Sequence, residues 1–105
     1  MTQIAAHTPR YLPLMPVIHR PDRRRFIVET PVGEAELSYR IREDGAMDLL
    51  HTFVPEKARG GTVASDLVRA AIAYGKGQGL KLVATCPYVQ SWLVRHPEEK
   101  GYFIP

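Results

Sequence analysis

The sequence predicts an α+β domain: a mostly antiparallel sheet with a β-α-β crossover and helices packed on it. Three observations carry that prediction. Residues 26–54 alternate apolar and polar side chains with a period of two, the mark of half-buried antiparallel strands. A run of apolar residues at helical spacing then follows a glycine pair. Beyond that helix comes a continuous apolar strand, and a helix between two neighbouring strands is the crossover that lets them lie parallel.

Taken in order, residues 1–24 hold Pro9, Pro13, Pro16 and Pro21 without sustained periodicity. Proline fixes φ and removes a donor, so these residues are expected to form an extended or disordered Pro/Arg-rich arm, with the domain proper spanning 25–105. Phe26-Ile27-Val28-Glu29-Thr30 reads as a short strand and Pro31-Val32-Gly33 as a turn. In residues 34–41, Ala35, Leu37, Tyr39 and Ile41 form the apolar face of a second strand, and Glu34 and Glu36 its solvated face. Glu43-Asp44-Gly45 signals a hairpin. The third strand covers residues 46–54, with Met47, Leu49, His51 and Phe53 expected on one face. Val63, Leu67, Val68, Ala71, Ile72 and Tyr74 predict a helix that opens near Ser65 and Asp66 and ends between Gly75 and Gly79. Residues 80–84 form the next strand. Pro87 suits the first position of a last helix through Val89, Trp92, Leu93 and Val94, which Pro97 closes.

Composition bounds the function. One domain is all that 105 residues allow. No apolar run approaches the roughly 20 residues of a membrane helix, and none serves as a signal peptide, so a cytoplasmic location is the expectation. Cys86 is the single cysteine, which excludes an internal disulfide and suits a reducing compartment. One cysteine and scattered histidines give no metal-ligand spacing. The net charge is +3 and the pI about 9.2. Arg20, Arg23, Arg24 and Arg25, with His19 beside them, read first as a solvated basic arm and second as a nucleic-acid contact. No aromatic stacking platform accompanies them, so nucleic acid is not the expected partner.

The chemistry-bearing segment is Arg59-Gly60-Gly61-Thr62-Val63-Ala64, a glycine turn opening a helix. Unpaired N–H groups and the helix dipole favour an anion there. Gly60 and Gly61 let a phosphate approach the backbone, and Arg59 adds a fixed positive charge. Around this turn lie three more motifs: His51-Thr52-Phe53-Val54-Pro55 before it, then Cys86-Pro87-Tyr88-Val89, then Arg95-His96-Pro97-Glu98.

In that order and spacing the chain resembles the GCN5-related N-acetyltransferase (GNAT) superfamily, and within it the small single-domain branch that carries a cysteine. Thr62 stands where the superfamily signature has its central glycine. The resemblance implies a minimal GNAT-like fold, acetyl-CoA as cofactor and an amine as acceptor. It implies that the backbone of Phe53 and Val54 holds the pantetheine arm, that the N–H groups of residues 59–64 cradle the pyrophosphate, and that Pro87 and Tyr88 border the cofactor.

Cys86 ends the last strand at a helix N-terminus, where the dipole favours a thiolate. It is read as a nucleophile that takes the acetyl group, as a wall of the pocket, or as a buried structural cysteine. His51 is the candidate base beside it, with a satisfied core histidine as the other reading. Tyr88 packs, or protonates the leaving thiolate; His96 caps its helix. The leading function is an N-acetyltransferase acting on a small-molecule or protein amine. The alternatives are a CoA-binding or protein-interaction module without catalysis and, last, a basic nucleic-acid binder. An exposed sheet edge in so small a domain suits a homodimer.

Overall fold

The computed structural model describes residues 15–105, which form one five-stranded mixed sheet in the order β1-β2-β3-β4-β5. The strands are β1 (Ile18–Arg20), β2 (Arg25–Thr30), β3 (Gly33–Ile41), β4 (Met47–Phe53) and β5 (Leu82–Ala84). The first four are antiparallel and β5 lies parallel to β4. The helices are α1 (Val63–Gln78) and α2 (Pro87–Arg95). Expectations for residues 1–14 lie outside the described residues.

One core serves both helices. Phe26, Leu37, Met47 and Leu49 from the sheet meet Leu67 and Val68 of α1 and Val89 and Trp92 of α2, all buried. The alternation of the strands dictates this face, and the helical period of α1 matches it. Gly79, at φ 70°, closes α1, its N–H donating to the carbonyls of Gly75 and Lys76. Gly75 lets α1 approach β5: a Cβ there would stand 2.9 Å from Leu82 Cδ2. Pro87 occupies the first turn of α2, as its missing N–H favours.

Two differences from the sequence reading matter. The sheet begins before Arg25, because Ile18 and His19 pair with Ile27 and Phe26. A strand of three residues is too short for a period to show. The second difference is a β-bulge. Ser38 lies opposite His51 and Tyr39 opposite Leu49, which leaves Leu50 without a partner. One extra residue reverses the alternation of β4 beyond it. Met47 and Leu49 face the core as expected, but His51 and Phe53 turn to the opposite, exposed face. Thr52 and Val54 take the inward positions instead, Thr52 lying opposite buried Leu37.

Candidate functional site

Past the end of β4 the chain makes a 3₁₀ turn, Glu56–Ala58, and then the glycine turn into α1. These segments and Tyr88 of α2 enclose a cleft of about 380 Å³. Phe53, Val54, Arg59, Gly60, Gly61, Val63, Ala64 and Tyr88 line it. Thr62 and Pro87 are not in its wall, whereas Thr52 and Ala58 are. Thr52 was hidden from sequence reasoning by the bulge, and Ala58 carries no chemical signal of its own.

The glycine turn leaves its backbone open on the cleft side. Gly60 takes φ 92°, a left-handed conformation that glycine adopts at little cost. Nothing lies within 4 Å of the place a Cβ would occupy on Gly60 or Gly61. Thr62 stands at the N-cap of α1 but makes no side-chain capping bond. Its hydroxyl donates instead to Asp66 Oδ2 at 3.1 Å. The first-turn N–H groups therefore lack the side-chain oxygen that ordinarily satisfies them, and point their partial charge outward. Arg59 closes the wall: its Nε donates to the Val54 carbonyl at 2.8 Å.

Cys86 is the N-cap residue of α2 and is 2% exposed. Its N–H and that of Thr85 both donate to the Leu49 carbonyl, at 2.8 and 3.1 Å. The junction is held on its other side by the buried carboxylate of Asp48, which accepts from Thr85 Oγ1 at 2.5 Å and from Arg40 Nε at 3.3 Å. Cys86 Sγ lies 3.4 Å from Thr52 Oγ1. Thr52 lines the cleft and Cys86 does not. His51, turned outward by the bulge, is not brought to the thiol. The cysteine's neighbour is a hydroxyl.

Tyr88 reaches the cleft from the first turn of α2. Burial raises its phenol above the usual tyrosine range, and the Arg95 guanidinium offsets part of that. The phenol stays protonated at neutral pH, as a proton donor requires. His96 stacks on Trp92 with ring centroids 4.0 Å apart, and its Nδ1 lies 2.9 Å from the Trp92 carbonyl. That places it in the packing of α2. Among the described residues no group of three or more His, Cys, Asp or Glu side chains could hold a metal ion, and no helix is long and apolar enough to cross a membrane.

The parallel pair β4–β5 is joined by α1, which opens at a glycine turn without a side-chain cap. The profile of the GCN5-related N-acetyl-transferase family matches residues 25–102, and the chain belongs to that family. It is similar to Protein NATD1 of Danio rerio, with 34% identity over 83 residues that cover 77% of this chain and 76% of the relative. Protein NATD1 of Homo sapiens matches at the same identity, over 77% of this chain and 74% of its own length. Among solved structures, a GCN5-like protein from Staphylococcus aureus superposes with a TM-score of 0.66 at 17% identity, over 86% of this chain and 88% of that one. That likeness establishes the fold. Family membership supports acetyltransferase activity, with acetyl-CoA the donor typical of the family.

Proposed function

We propose that this chain binds acetyl-CoA in the cleft between β4 and α1 and transfers its acetyl group to an amine. The observation that carries the proposal is the uncapped N-terminus of α1 behind two glycines whose Cβ positions are empty. Residues 60–64 offer backbone donors to a pyrophosphate without steric hindrance. Val54, buried at the strand end, lines the same cleft where the pantetheine arm would lie.

Bound acetyl-CoA supplies an activated acetyl group. The protein's own contribution is to hold it, to exclude water and to return a proton to the departing sulfur. Tyr88, a phenol that is neutral at neutral pH and half-buried beside the cleft, is the proton donor. Direct transfer is favoured over a cysteine-bound acetyl group, because Cys86 is covered and lies behind Thr52. Its thiol packs behind Thr52, outside the cleft lining. The acceptor is an amine that arrives at the open end of the cleft.

Thiol release from acetyl-CoA in the presence of a panel of amines and lysine peptides tests this reading. Turnover that survives Cys86→Ala, with no acetyl adduct in the intact mass, is expected. An adduct that disappears in Cys86→Ala, together with loss of turnover, contradicts direct transfer. Binding of acetyl-CoA without thiol release for any amine favours a CoA-binding module.

A further inference from the structure

We infer that the β1–β2 hairpin is a second binding surface, for the phosphate backbone of a nucleic acid, separate from the cleft. Arg20, Arg23 and Arg24 are exposed on this hairpin. Among the described residues the ion pairs are Arg25–Glu36, Arg40–Asp48 and Arg42–Asp44, so these three arginines stand outside them. Asp22, in the same turn, is the one acidic residue between 20 and 25, and residues 1–14 contain no Asp or Glu.

Two features of the hairpin run against stability. Arg20 lies directly opposite Arg25 across the β1–β2 pair, and like charges at that position repel. Arg25 is compensated by Glu36; Arg20 is outside the ion pairs. Arg24 adopts φ 56°, and it is the non-glycine residue with positive φ among those described. Glycine or asparagine suits that conformation better than arginine. Its backbone is pinned there, because the Arg24 carbonyl accepts from the Tyr39 N–H at 3.0 Å. Strain and like-charge pairing kept together at one turn point to a use for its side chains.

The position of the turn separates it from the cofactor. Arg24 sits beside Tyr39, and β1 is the edge strand farthest from the β4–β5 pair. The cleft opens past Phe53 at the other end of β4. Guanidinium groups take phosphate oxygens two at a time, and three exposed arginines on one hairpin match a backbone that carries a phosphate at every step. Residues 20–25 expose no large apolar side chain, which argues against a membrane-inserting turn.

The test is fluorescence anisotropy of a labelled DNA duplex with the full chain, titrated across salt. Three phosphate contacts give a slope of log affinity against log salt of about −2 to −3. Replacing Arg20, Arg23 and Arg24 together by Gln is expected to remove binding while the circular dichroism spectrum is kept. Arg24→Gly gives an independent reading: relief of the left-handed strain should raise the melting temperature while duplex binding weakens. Saturating coenzyme A should leave binding unchanged. No anisotropy change, binding retained in the triple variant, or displacement by coenzyme A overturns the inference. So does equal competition by polyglutamate, or preferential capture by phosphatidylserine vesicles, since each assigns the arginines to another partner.

Discussion

The side chain of Arg59 donates from Nε to the carbonyl of Val54, tying the glycine turn back to the end of β4. The guanidinium that a reading of charge alone assigns to the ligand is thus also a strut of the cleft wall. A hydrogen bond from a charged group contributes about 1.5–3 kcal/mol. Arg59→Ala is expected to weaken acetyl-CoA binding by about tenfold or more, measured by calorimetry. Arg59→Lys should recover little of it, since a lysine lacks the forked donor set.

Gly61 and Gly77 separate a binding effect from a folding effect. Neither has an atom within 4 Å of its missing Cβ. Gly77→Ala, inside α1, is expected to raise stability by roughly 0.5–1 kcal/mol and to leave binding alone. Gly61→Ala should leave the melting temperature nearly unchanged yet weaken cofactor binding, because its methyl group occupies the phosphate's approach. Gly75→Ala behaves oppositely again: the clash with Leu82 is expected to cost about 1–3 kcal/mol, read as a lower denaturation midpoint.

Tyr88→Phe tests the proton donor. The ring remains in place, so stability should hold while kcat falls by about 10²-fold or more and KM for acetyl-CoA changes little. An unchanged kcat across neutral pH removes Tyr88 from the chemistry.

His19 makes stability depend on pH. Its ring stacks on Phe26 at 4.2 Å and its Nε2 lies 2.7 Å from the Tyr39 hydroxyl. Burial lowers its value from the ordinary 6.5. A histidine whose folded value lies below its unfolded one binds protons more readily when unfolded. Its stabilisation is complete above the unfolded value and is lost as pH falls through the folded one. Thermal melts should therefore show a lower midpoint as pH drops below about 6.5, and His19→Phe should remove that part of the slope.

Much of the fold was legible because its periods are long. Six apolar positions between Val63 and Tyr74 leave little choice but a helix, and Pro87 and Gly79 mark boundaries by backbone chemistry. The glycine turn was legible for the same reason. What escaped is local and depends on pairing. β1 has three residues, and only its register with Phe26 and Ile27 makes it a strand. The bulge at Leu50 leaves no mark in composition, yet it moves His51 to the outer face and Thr52 to the thiol. A base assigned to Cys86 by strict alternation was thus displaced by one residue. The burial of Asp48 beneath Thr85 and Arg40 also depends on strands joined far apart in the chain.

The claim on which the rest depends is that the uncapped glycine turn holds the pyrophosphate of coenzyme A. Isothermal titration calorimetry of acetyl-CoA against the full chain and against Gly61→Ala measures it most directly. Micromolar binding to the native chain, weakened by about tenfold or more in Gly61→Ala at equal melting temperature, is the expected result. No detectable binding to the native chain, or equal affinity in both proteins, contradicts it.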